Sequence, residues 1–228
     1  MYNAVQLGQI IIPYWMIYIG LSLSAAFLYL KFFSPFKGKD GRNVRDKTAN
    51  MIILFAVVFQ FGSALYNLPL LIRDPLAVLS YPSGTKEFYT GLAVVIVYAL
   101  YMHRKKLMSL HHTFSGLFFV LITADFLFSF LTGRSGEELS SGLFPFVSHH
   151  PLSLYTMILS AGILVLISKN AIRIRHAALI FALGKWGISL FDSSDMFFHL
   201  YGMNSFYILL AAAALLLTAS DLTRKESG

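Results

Sequence analysis

Long apolar runs separated by short polar turns dominate the chain, and the breaks fall at charged or turn-forming residues. Seven runs stand out, at roughly 9–33, 49–72, 88–102, 110–132, 152–168, 177–198 and 204–220. Several reach about 20 residues, enough for a helix to cross a hydrocarbon layer of about 30 Å. The third is short, and its helix is expected to begin in the preceding loop. The pattern predicts an all-α, polytopic membrane protein with about seven transmembrane helices. No polar stretch is long enough to make a separate soluble domain, so residues 1–228 are expected to form one transmembrane domain.

Composition strengthens this reading. The 228 residues are 57% hydrophobic and 13% charged, with a mean hydropathy of +0.66. A soluble domain of this length would cover its surface with charge at roughly a quarter of its residues. Cysteine is absent, which removes structural disulfides, thiol catalysis and thiolate metal ligation. The start, MYNAVQLGQ, has no basic segment, so a cleaved signal peptide is not expected.

The net charge of +7 is a matter of orientation rather than of nucleic-acid binding. One side of the predicted bundle carries Lys31, Lys37, Lys39, Arg42, Arg45, Lys47, Arg104, Lys105, Lys106, Lys169, Arg173, Arg175, Arg224 and Lys225. The other carries only Arg73, Lys86 and Arg134. The positive-inside rule then places the N-terminus outside and the C-terminus in the cytoplasm, which requires an odd number of spans.

With that topology the polar residues of separate spans fall at one depth, in the outer half. Asn67 lies late in the second span and Asp125 late in the fourth. Asp192, Asp195 and His199 follow at the end of the sixth, in FDSSDMFFHLYG. His149, His150 and Tyr155 mark the re-entry into the fifth, and Tyr89 the start of the third. Helical spacing would put Asp192, Asp195 and His199 on one stripe; a solvated loop after a span ending near Phe191 is the alternative. Asn67 and Gln60 share a face and could hydrogen-bond neighbouring helices. Lys185, inside the sixth span, could pair with Asp125 or an acid of its own helix, or snorkel inward, and pairing within the bundle is the preferred expectation. Asp-x-x-Asp-x-x-x-His spacing permits a divalent metal, but further ligands would have to come from elsewhere, and no metal is assigned. Adjacent histidines in HHTF point about 100° apart on a helix and cannot easily ligate one ion. No P-loop, dinucleotide fingerprint or Ser-His-Asp signature occurs, and no cofactor is expected.

The order of motifs resembles a known family. HHPLSLY, entering the fifth span, is similar to the His-Pro-x-Gln-Leu-Tyr element of the bacterial prolipoprotein diacylglyceryl transferases. PYWMIYIG, with Tyr14, resembles the family's Arg-Trp-Tyr-Gly segment, and FQFGSALYNL its Gly-Ala-Arg stretch. GTKEFYTGL resembles Gly-Gly-x-x-Phe-His-Gly-Gly-Leu, FLFSFLTGR resembles Arg-x-Gly-Asn-Phe-x-Asn-Gly-Glu, and KWGISLFDSSDMF resembles Tyr-Gly-x-x-Arg-Phe-x-x-Glu-Phe. The resemblance implies a seven-span enzyme of the bacterial plasma membrane with an outside N-terminus. Its members move a diacylglyceryl group from phosphatidylglycerol to a lipoprotein cysteine. The departures are specific: Tyr89 stands at the family's His, Phe126 and Leu190 at its Arg positions, Ser129 at Asn, and Arg134 and Ser194 at Glu.

Three functions follow as expectations. In the first, the chain binds a phosphatidylglycerol-like phospholipid in an outward-opening cavity and transfers part of it to a lipoprotein or other acceptor. Asp195, Asp192, His199 and His150 would do the acid–base work, and Tyr14, Tyr89, Asn67, Asp125, Tyr155 and Lys185 would hold the substrate. In the second, it is a non-catalytic lipid-binding or scaffolding subunit of a membrane complex. In the third, it is a metal- or proton-handling carrier.

Overall fold

The apolar runs fold as helices. The structure, a computed structural model, describes residues 4–7, 10–39, 41–74, 83–138, 149–191 and 205–226. Among these residues are seven long helices: α1 (Tyr14–Phe32), α2 (Arg42–Tyr66), α4 (Thr85–Arg104), α5 (Leu110–Thr132), α6 (Leu152–Ser168), α7 (Ile174–Ser189) and α8 (Ser205–Glu226). A short helix, α3 (Leu68–Arg73), follows α2. The third apolar run does begin in the loop before it, since α4 starts at Thr85.

Three boundaries differ from the hydrophobic pattern. The first run was expected to be helical from about residue 9, but Ile10–Pro13 (β2) instead pairs antiparallel with Ala4–Leu7 (β1). Ile10, Ile11 and Ile12 favour extended backbone, and helix begins only after Pro13. The second run was expected to be continuous to residue 72, yet α2 ends at Tyr66. Pro69 has no N–H for the carbonyl four residues back and its ring collides with that turn, so the chain restarts as α3. The sixth run was expected to reach residue 198, but α7 ends at Ser189 in a turn at Leu190 and Phe191. Asp192, Asp195 and His199 lie outside the described residues.

α5 is the central helix. It packs against α1, α2, α4, α6 and α7, while α4 also lies on α2 and α8 on α7. Its buried residues run almost all round the helix, as expected for one enclosed by others. The main core joins Leu30 of α1, Phe118 and Ile122 of α5, Ile163 of α6 and Phe181 of α7. A smaller aromatic cluster of Phe59, Phe88 and Tyr207 links α2, α4 and α8. Gly116 lets α2 approach α5 closely, because a Cβ there would lie 2.3 Å from Thr48 Oγ1. The turn after α1 is closed by Ser34, whose Oγ donates to Leu30 O at 2.5 Å, and by Arg45, which donates to Gly38 O at 2.8 Å.

Large apolar side chains also cover the outside. Leu28, Ile53, Val97, Phe130, Ile158, Leu183 and Leu216, one from each long helix, are all more than half exposed. Three helical segments are long and apolar enough to cross a membrane: Tyr14–Phe32, Arg42–Ala64 and Leu110–Thr132.

Candidate functional site

Among the described residues, a buried polar cluster is built on Asp125. Its side chain is 5% exposed and accepts a hydrogen bond from Lys185 Nζ at 3.0 Å, the lysine side chain being 12% exposed. Ser160 Oγ donates to the second carboxylate oxygen at 3.4 Å, and Lys185 Nζ also reaches Thr156 Oγ1 at 3.4 Å. The ammonium lies 6.0 Å from the centre of the Tyr207 ring, within cation–π range. Four helices therefore contribute: α5, α6, α7 and α8.

Their sequence positions explain the meeting. Asp125 is 7 residues before the end of α5, Thr156 is 4 after the start of α6, Lys185 is 4 before the end of α7, and Tyr207 is 2 after the start of α8. Helices that alternate in direction bring these positions to one end of the bundle, about 10 Å or less from it along the axis. Thr156 and Ser160 are four apart and so share a face of α6.

A second group sits at the same end, in the connection between α5 and α6. The His150 ring stacks on Phe191 with centroids 4.5 Å apart, and its Nδ1 is 3.4 Å from the Tyr155 hydroxyl. Its backbone is held on both sides, donating from N to Glu137 O at 3.0 Å and accepting at O from Gly136 N at 2.8 Å. Glu138 and His149 form an antiparallel bridge, with His149 Nε2 4.0 Å from a Glu138 oxygen. Glu137 N donates to Phe191 O, which ties the segment to the end of α7. This arrangement fixes the orientation of the His150 ring, the property an acid–base or ligand-orienting imidazole needs.

The other candidates are distributed more widely. Tyr14 is the first residue of α1, exposed and stacked on Tyr18. Tyr89 packs edge-on against Phe88 at 5.3 Å, beside the aromatic cluster that contains Tyr207. Asn67, for which a hydrogen bond to a neighbouring helix was one alternative, caps its own helix: its side-chain amide donates to Ser63 O at 3.0 Å, because the chain leaves the helix there. Gln60 is exposed. His111 and His112 are exposed too, with ring planes 74° apart. Among the described residues no group of three or more His, Asp or Glu could hold a metal ion.

The geometry also brings in residues that the sequence reading passed over. Thr156, Ser160 and Tyr207 complete the Asp125–Lys185 cluster, and their only signal was a pair of hydroxyls at i, i+4 in TMILS. Glu87 is a buried carboxylate that accepts from Gly84 N at 2.8 Å, capping the start of α4. Comparison with protein-family models gives no match, and no curated protein matches the chain in sequence.

Proposed function

We propose that this chain is a seven-span protein of the bacterial plasma membrane, with its N-terminus outside and its C-terminus in the cytoplasm. It binds a phosphatidylglycerol-like phospholipid at the outer end of the bundle and has a fold like that of the prolipoprotein diacylglyceryl transferases. The observation that carries the reading is the convergence of Asp125, Lys185, Thr156, Ser160 and Tyr207 at the same end as the His150–Tyr155 pair.

Two asymmetries support it. Basic residues gather at the opposite end, around Lys37, Lys105 and Arg173, where anionic inner-leaflet headgroups would meet them. Both tryptophans, Trp15 and Trp186, lie instead near the end that holds the polar cluster, with Tyr14, Tyr18, Tyr66 and Tyr155, like an aromatic belt at a membrane–water interface. Exposed apolar faces on every long helix suit a lipid surround better than water.

The resemblance implies transfer of a diacylglyceryl group to a lipoprotein cysteine. His150, held by Tyr155 and Phe191, is the described residue best arranged for a proton-transfer role; Asp192, Asp195 and His199 are its companions in this reading. A second reading, a non-catalytic lipid-binding or scaffolding subunit, is favoured by one feature: the Asp125 carboxylate is already engaged by Lys185 and Ser160. The absence of arginine at Phe126 and Leu190 points the same way.

One experiment separates these readings. The purified protein is extracted and its lipids identified by mass spectrometry, and it is then incubated with phosphatidylglycerol and a cysteine peptide. Bound phospholipid with peptide modification supports transfer, and bound phospholipid alone supports the subunit. Stoichiometric metal without lipid would overturn both.

A further inference from the structure

α2 turns one face to its neighbours and leaves the opposite face uncovered. Thr48, Met51, Phe59 and Ser63 are buried on the packed face, with Thr48 against Gly116 of α5. On the opposite face Asn50, Ile53, Val57 and Gln60 are exposed and Ala64 is half-buried. Their spacing of three, four, three and four residues is the repeat of a seam that packs along a second helix.

Two positions of this seam are carboxamides. α2 supplies one of the segments long and apolar enough to cross a membrane, and Gln60 lies six residues before its end, about 9 Å along the axis. The backbone carbonyl of Gln60 accepts from Ser83 Oγ at 3.5 Å. The side-chain amides of Gln60 and Asn50, however, have no hydrogen-bond partner among the described residues. A carboxamide turned toward acyl chains gives up its bonds to water and gains none, a cost that a partner helix removes.

We infer that this face of α2 pairs with the same face of a second copy of the chain, about a twofold axis along the membrane normal. Copies inserted in one orientation bring equal depths together, whichever end of the bundle faces out. Gln60 then meets Gln60 and Asn50 meets Asn50. Each amide both donates and accepts, so an identical partner satisfies both levels at once. Ile53 and Val57 fill the seam between them, and the small Ala64 lets the helices close. The seam position before Asn50 is Asp46, which pairs with Arg42 of its own helix at 3.5 Å; the contact ends there, where like charges would meet.

The chain has no cysteine of its own, so single cysteines in the full chain test the pairing in membranes by copper-phenanthroline oxidation. Val57→Cys and Gln60→Cys are expected to give disulfide-linked dimers. Val97→Cys on α4 and Leu183→Cys on α7, which are also exposed, are expected to give none. The amide contact is read by resonance energy transfer between labelled copies diluted in phosphatidylcholine vesicles. Gln60→Leu is expected to raise the dimer dissociation constant about tenfold, the worth of two interhelical hydrogen bonds, and to melt like wild type. Gln60→Leu copies that associate like wild type overturn the amide contact. A monomeric wild type, or dimers linked at Val97 or Leu183 and not at Val57 or Gln60, overturn the interface. A Gln60→Cys chain linked only to a different protein overturns the second copy as its occupant.

Discussion

Asp125 and Lys185 are each expensive alone in apolar surroundings, and the pair is tolerable because every charged face has a partner. Asp125→Ala leaves the Lys185 ammonium buried without its counter-charge, and a loss of about 3–5 kcal/mol is expected. The double substitution Asp125→Leu with Lys185→Met removes both charges at similar volume, and should recover most of that loss. Thermal unfolding in detergent measures both; a single variant as stable as wild type would refute the buried pair. The His150 ring is a different case, since it lies in a loop and is oriented rather than buried. His150→Ala is expected to reduce lipid retention, whereas His103→Ala, at the far end of α4, leaves it unchanged; quantification of co-purifying lipid decides this. The ion pair was legible in the sequence because both residues are conspicuous within apolar runs. Thr156, Ser160 and Tyr207 were not, since hydroxyls are common in such helices and only packing shows which of them face a charge.

Element positions followed the hydrophobic pattern closely, because a run that must bury or shield its backbone in an apolar medium has few alternatives to helix. The ends did not follow it, for reasons that hydropathy cannot carry. Pro69 is apolar yet breaks α2, and Ile10–Ile12 are apolar yet form a strand. α7 shows a related effect. At 16 residues it is roughly 24 Å long, short of a hydrocarbon layer of about 30 Å. Its two buried cations are answered by other helices: Arg175 donates to Leu217 O of α8 at 2.8 Å, and Lys185 meets Asp125 of α5. Between them Ala178 and Ala182 lie fully buried on the same stripe and allow close approach. Close approach matters also at Gly116. Gly116→Leu is expected to push α2 from α5 and to cost about 1–3 kcal/mol by overpacking, measured again as a fall in melting temperature. Gly116→Ala meets the same Thr48 hydroxyl but can be relieved by a rotation of that side chain, so its effect should be smaller.

For the molecule as a whole, orientation is the property on which the proposed function depends, since a phospholipid site at the polar end must face the outer leaflet. The chain has no cysteine, so single cysteines can be introduced without background. A membrane-impermeant thiol reagent applied to intact spheroplasts is expected to label Ser135→Cys and not Lys39→Cys. The reverse pattern would invert the bundle and remove the argument for an outer-leaflet ligand. What the linear order of residues determined was the helical class, the number and approximate place of the long helices, the charge asymmetry of the two ends, and the oddity of an acid and a lysine in apolar runs. Each of these is a one-dimensional property, fixed by periodicity and by the energy of placing a side chain beside hydrocarbon. Tertiary structure alone decided that α5 is central, that Asp125 is met by α6 and α7 while α8 sets Tyr207 beside Lys185, that Asn67 turns back on its own helix, and that Arg134 is clamped at its backbone. Those are matters of which faces meet, and a helix face acquires a partner only when other helices close around it.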